Sequence, residues 1–206
     1  MKSNSKHWDK IFLGAQETTL GWYEADVSPT LHLLDQVPGW NKSTIFFSGI
    51  GTSGLVEKLI IRGTTCVLND ISQVALTSIK RKLGNKAKGV KWLCQDVSAP
   101  LPSSVPAIDI WIDRAVLHFI TDAQGIRQYF DNIKSQLKVG GHVLLAQFSL
   151  DGAKKCAGLK VHKYSLDELS ESLGDSFEVV SHFDYDYINP HGDPRPYIYV
   201  LYKRVK

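Results

Sequence analysis

Cysteine is scarce: Cys66, Cys94 and Cys156 are the only three among 206 residues. The number is odd, no pair forms C-x-x-C, and the spacing fits no zinc pattern, which argues against a disulfide framework and a zinc site. A reducing compartment is the simplest reading. Charge of one sign is also lacking. The 24 basic and 21 acidic residues leave a formal charge of +3, with no dense Lys/Arg block, so nucleic acid is not expected as a partner. The opening stretch MKSNSKHWDK has no apolar core of a secretory signal, and no apolar run approaches the length that crosses a bilayer. The sequon Asn41-Lys-Ser43 carries no weight without such a signal. A soluble, cytoplasmic protein that needs no membrane is therefore expected. Repeats, low-complexity tracts and linkers are missing too. With 43% hydrophobic residues, the length suits one domain with a sizeable core and is short for two.

What is present changes character at residue 44. The first forty residues are aromatic-rich and lack strand alternation. SPTLHLLDQV reads as a short helix, with Ser28 as its N-cap and Pro29 in its first turn. Beyond them, strands alternate with helices. Strands are expected at Thr44–Ser48, Cys66–Asn69, Val90–Cys94, Ile108–Ile112 and His142–Phe148. Helices are expected at Gly54–Ile61, at Val74–Leu83 after the cap Ser72, at Ala123–Leu137, and at SLDELSESLG with a Ser165/Glu168 capping box. Two β-rich runs, Phe177–Tyr187 and Tyr197–Tyr202, close the chain. No helical pattern lies between them, so they pair antiparallel. The remainder is a parallel, doubly wound sheet: five parallel strands closed by an antiparallel hairpin.

The first strand runs into Gly49-Ile50-Gly51-Thr52-Ser53-Gly54, a literal G-x-G-x-x-G before a helix. Such a loop lets backbone approach a nucleotide closely. Asp70 ends the second strand, 19 positions after Gly51, where a carboxylate accepts hydrogen bonds from ribose hydroxyls. Both NAD and S-adenosylmethionine ask for this arrangement. Two features separate them. Asp96, in WLCQDVS, follows the third strand, one strand further across, where it suits an adenine amino group. Nothing after the fifth strand is long enough to form a dehydrogenase's substrate domain.

The segments FSGIGTSG, LNDIS, CQDVS, DIWIDRAVLHFI and LKVGGHVLLAQF together resemble the class I S-adenosylmethionine-dependent methyltransferases over nearly the whole chain. A closer resemblance is to a group of small bacterial methyltransferases with a DRAVFHFL-like fourth strand and a CSGL-like loop. Here these read DRAVLHFI (Asp113–Ile120) and CAGL (Cys156–Leu159). WIDRA is also similar to the start of a motif in thiol and thiopurine methyltransferases. The resemblance implies an α/β, Rossmann-like seven-stranded fold in one domain, 1–206, with a lid segment at 1–40 and the core at 43–206. It implies S-adenosylmethionine as cofactor, held by Ser48, Gly49, Gly51, Asp70, Ile71, Asp96, Val97 and Asp113, with Gly54 completing the loop. Asp113, Arg114 and His118, at the end of the fourth strand, become the candidate catalytic residues. Trp22, Tyr23, Cys156 and His191 become candidates for the acceptor. Each has a plainer reading: turn glycines, capping or turn aspartates, a buried ion network, a satisfied histidine, packed aromatics, an inert thiol.

One departure stands out. The family has an acidic residue two positions before the first loop glycine, and here that position is Phe47. Cofactor binding is then expected to be weaker or differently supported. Methyl transfer is an in-line displacement at an activated carbon, so positioning dominates and a base is needed only where the acceptor must lose a proton. The expected acceptor is a small molecule with a thiol or other heteroatom nucleophile. A protein lysine is the alternative, and a non-catalytic cofactor-binding module is the alternative outside enzymes.

Overall fold

A computed structural model describes residues 4–206. Residues 1–3 of the expected lid segment lie outside the described residues. Two helices come first, α1 (Ser5–Gly14) and α2 (Ser28–Leu34). The alternating core follows: β1 (Thr44–Ser48), α3 (Leu55–Ile61), β2 (Thr65–Asp70), α4 (Gln73–Leu83), β3 (Lys91–Cys94), β4 (Ile108–Arg114), α5 (Ala123–Gln136) and β5 (Leu137–Phe148). A small hairpin, β6 (Lys155–Cys156) with β7 (Leu159–Lys160), precedes α6 (Leu166–Leu173), β8 (Phe177–Ile188) and β9 (Pro194–Arg204).

Seven strands form one sheet in the order β3-β2-β1-β4-β5-β9-β8. The first five are parallel, and β9 pairs antiparallel with both β5 and β8. Five parallel strands plus a closing hairpin is the expected arrangement. Alternation along β1 explains the two layers. Ile45 and Phe47 join α2, α3 and α4 in one core, whereas Phe46 joins α5 and α6 in the other. The chain leaves β1 for β2 and β3, then returns to lay β4 on the other side of β1. That reversal opens a crevice at the carboxyl ends of β1 and β4.

Boundaries differ in instructive ways. Ser28 is the first residue of α2 rather than its cap; its hydroxyl donates to Asp26 instead. Ser72 does cap α4, accepting from Ala75 N at 3.1 Å. The α6 box is half made. Ser165 Oγ accepts from Glu168 N, but the Glu168 carboxylate turns to His162 at 2.6 Å. β5 begins at Leu137, earlier than expected, because Leu137 already pairs with Ile108; the ladder resumes at His142 with Ile110 after an irregularity in which Gly140 takes φ +84°. No feature singled out α1. None of its residues is fully buried, although Trp8, Ile11 and Phe12 stand at helical spacing.

Candidate active site

The crevice opens into a cavity of about 260 Å³, lined by all three loop glycines, Asp70, Ile71, Asp96, Val97, Arg114 and the 115–122 loop. Gly49 and Gly51 hold the loop in the left-handed region, at φ +58° and +50°. A Cβ on Gly49 would lie 2.2 Å from Val116 Cγ2. The close approach of the two loops therefore requires glycine at that position. Gly54 differs: its φ is −70° and nothing lies within 4 Å of a Cβ placed there.

Asp70 organises the rim. Its Oδ2 accepts from Gly51 N at 2.7 Å and its Oδ1 from Ser72 N at 2.8 Å. Burial pushes its pKa up to about 6, against those two bonds and with help from the nearby Asp9 carboxylate. Asp9 itself comes from α1 and accepts from Ser72 Oγ at 2.6 Å, which ties α1 to the start of α4. Asp96 Oδ1 accepts from the backbone and hydroxyl of Ser98, at 2.9 and 2.6 Å. That turn faces the same cavity as Asp70. The buried Phe47 ring forms part of the wall where an acid was expected.

An aromatic cluster covers the Gly51 loop, with Phe12 and Trp22 within 4 Å of a Cβ placed there. Trp8 and Phe12 of α1 meet Trp22 at 5.4 and 6.1 Å between centroids, and Trp8 meets Phe119 edge-on at 4.8 Å. Beside these rings, Arg114 Nε sits 2.9 Å from Glu24 Oε1, and both side chains are 7% exposed. Arg114 also donates to Tyr199 Oη and to the Trp22 carbonyl, each at 3.1 Å, and lies over the Tyr187 and Tyr197 rings. Burial works against its charge, but Tyr199 and Glu24 more than offset this and keep the guanidinium ionised. Burial raises the pKa of Glu24, and Arg114 opposes the rise.

Five of the residues named from sequence do not line this cavity. Asp113 is fully buried beneath it. Its Oδ1 accepts from Gln147 Nε2 at 2.6 Å and from the amides of Val116 and Leu117, and its Oδ2 from Tyr129 Oη at 2.7 Å. It pins the loop after β4, in which Ala115 adopts φ +65°. Asp113 is thus a positioning group for that loop, not a group that meets the acceptor. Ser48, its partner in register across β1 and β4, is equally buried. His118 is buried flat against Phe148, 4.4 Å between centroids, and burial with the Arg114 charge drops its pKa to about 3. It stays neutral and out of reach. Cys156 lies on the β6–β7 hairpin and His191 in the exposed β8–β9 turn. Lys154 and Lys155 are solvated and do not activate the thiol; burial pushes Cys156 up to about 11. Of the acceptor candidates, Trp22 and Tyr23 do line the cavity. Glu24, next to them in the same lid segment, lines it too, and Trp8, Phe12 and Phe119 join them without having been assigned from sequence.

Residues 48–145 match a methyltransferase domain family. No curated protein matches the sequence. Among solved structures, an S-adenosylmethionine-dependent methyltransferase from Anabaena variabilis superposes with a TM-score of 0.77 at 15% identity, over 98% of this chain and 93% of that one. The N-methyltransferase NodS from Bradyrhizobium japonicum, in complex with S-adenosylhomocysteine, gives 0.75 at 12% identity over 100% of both chains. The Burkholderia thailandensis 1,6-didemethyltoxoflavin-N1-methyltransferase gives 0.67 at 16% identity, over 99% of this chain and 85% of that one. The fold is that of the class I methyltransferases. Within that fold, residues 48–145 carry the match to the methyltransferase domain. Among the described residues, no helix is long and apolar enough to cross a membrane.

Proposed function

We propose that the cavity holds S-adenosylmethionine over Asp70 and Asp96 and a small-molecule acceptor toward Glu24 and Arg114, and that the methyl group passes to a nitrogen or sulfur of that acceptor. The observation that carries this is the spread of one continuous cavity across the strand ends. Asp70 and Asp96 line it over β2 and β3, Arg114 at the end of β4 and Glu24 line it on the other side of β1, and Phe12 and Trp22 cover the Gly51 loop between them. The residues present fit the cofactor. The Gly49 position leaves a cradle that a single Cβ would fill, and Asp70 offers acceptor lone pairs beyond its two backbone bonds. When bound, S-adenosylmethionine supplies a methyl carbon already activated by its sulfonium. The chain's own part is to hold and exclude: Gly49, Gly51 and Gly54 admit close backbone approach, Asp70 takes the ribose hydroxyls, and Asp96 with Val97 takes the adenine edge. The N-terminal segment covers the acceptor. The Burkholderia neighbour has 1,6-didemethyltoxoflavin and S-adenosylhomocysteine bound on this same fold, which supports a small acceptor.

Asp70 supplies the test. Ribose hydroxyls donate to the ionised carboxylate, and this carboxylate's pKa stands near 6 before ligand arrives. Ligand affinity should therefore rise as pH rises through 6. Calorimetric titration with S-adenosylhomocysteine is expected to show about tenfold weaker binding at pH 5 than at pH 7.5. Asp70→Asn should bind weakly at both pH values. Equal wild-type affinity at both would remove Asp70 from the ribose. The ligand-free protein carries the opposite dependence at this residue. A folded pKa above the usual 3.8 gives a stability contribution that is complete below pH 3.8 and lost as pH rises through about 6.

A further inference from the structure

From the paired charges of Glu24 and Arg114 beside Trp22 we infer that Glu24 is the general base of the reaction, and that the acceptor is an uncharged planar heteroaromatic molecule presenting a ring N–H or an S–H to it. This rests on the methyltransferase reading above.

The strand order places Glu24 on the acceptor side. The groups assigned to the cofactor sit over β2 and β3. Glu24 lies 3.5 Å from Tyr199 Oη on β9, three strands beyond β1 and roughly 14 Å from it at the usual strand spacing. Both of its side-chain contacts, to Arg114 and to Tyr199, are made by Oε1. Oε2 has no hydrogen-bond partner among the described residues, and Glu24 lines the cavity. Burial raises its pKa above the ordinary 4.5, so its carboxylate takes up a proton more readily than a solvated one.

Charge and shape then narrow the acceptor. An aromatic enclosure with a carboxylate ordinarily suits an ammonium group. Here the guanidinium of Arg114 is 2.9 Å from the carboxylate and also donates to Tyr199 and to Trp22, with only Nη2 left without a partner, so the pair is neutral as a unit. A cationic acceptor would meet Arg114 at once, and an anionic one would meet Glu24. A neutral ring laid against Trp22 and Tyr23, which line the cavity beside the pair, meets neither penalty. In the transfer step the acceptor's heteroatom forms its bond to the methyl carbon while the sulfur–methyl bond breaks and leaves its electron pair on sulfur. The N–H or S–H proton passes to Glu24 Oε2, giving the methylated neutral product and S-adenosylhomocysteine.

Probe binding to the protein saturated with S-adenosylhomocysteine, read by quenching of tryptophan fluorescence, tests this. The probes are benzimidazole, 1-methylbenzimidazole, which lacks the N–H, and benzylammonium. Benzimidazole is expected to bind at least tenfold tighter than either of the others. Glu24→Gln should keep the S-adenosylhomocysteine affinity, erase the preference for the N–H probe, and lower transfer of labelled methyl to benzimidazole at least a hundredfold. Equal binding of the two benzimidazoles, tighter binding of benzylammonium, or no probe binding to the saturated protein would each overturn the inference. Failure of S-adenosylhomocysteine itself to bind would instead overturn the methyltransferase reading beneath it.

Discussion

Gly49→Ala is expected to lose about 2–4 kcal/mol of stability and nearly all cofactor affinity. Two costs combine. The residue sits at φ +58°, where a Cβ costs about 1–2 kcal/mol. The new methyl also falls 2.2 Å from Val116 Cγ2, and Val116 cannot retreat freely because Asp113 Oδ1 holds its amide at 3.1 Å. The loop after β4 must shift, at an overpacking cost of about 1–3 kcal/mol. Thermal denaturation reads the first effect and calorimetry with S-adenosylhomocysteine the second. Gly54→Ala is the matched control. It meets nothing within 4 Å and needs no left-handed φ, so its stability should stay within about 0.5 kcal/mol of wild type. A Gly49→Ala protein as stable as the control would show that the loops do not approach as described.

Asp113→Ala carries the other large effect, a loss of about 3–5 kcal/mol. The carboxylate is the acceptor for Tyr129 Oη, Gln147 Nε2 and two loop amides, all in a dry site. Removing it leaves those donors without a partner, and an unsatisfied buried donor costs about 1–3 kcal/mol. Asp113→Asn keeps one oxygen for Gln147 and the amides, so it should lose less than half as much. Denaturant unfolding compares the two. Trp111 makes the outcome visible, because its Nε1 donates to the same Tyr129 Oη at 3.1 Å and its fluorescence should shift. Equal, small losses in both variants would mean the carboxylate does not organise the loop.

The sheet was legible because its signals are local. Alternating βα spacing, buried runs such as Thr44–Ser48, and the loop glycines each fix one element, and their sequence order then fixes the layout. Asp70 and Asp96 were legible for a related reason, since a carboxylate at or just past a strand end has few places to go. The acceptor end was not. Glu24 and Arg114 are ninety residues apart, and nothing local signals that a lid residue meets a strand-end arginine. Asp113 and His118 share the motif that holds Arg114, but burial is decided by side-chain direction after the strand ends. Ala115 at φ +65° turns the chain there, and no residue type announces it. For Cys156, the lysines next to it in sequence are exposed, and burial rather than their charge sets its thiol.

The measurement that tests the central claim most directly is calorimetric binding of S-adenosylmethionine, S-adenosylhomocysteine and NAD to the purified protein, with Asp70→Ala beside it. Micromolar binding of both S-adenosyl ligands, none of NAD, and loss of binding in the variant is the predicted result. Binding of NAD in their place, or S-adenosyl binding that survives the loss of Asp70, would contradict the site described for this cavity.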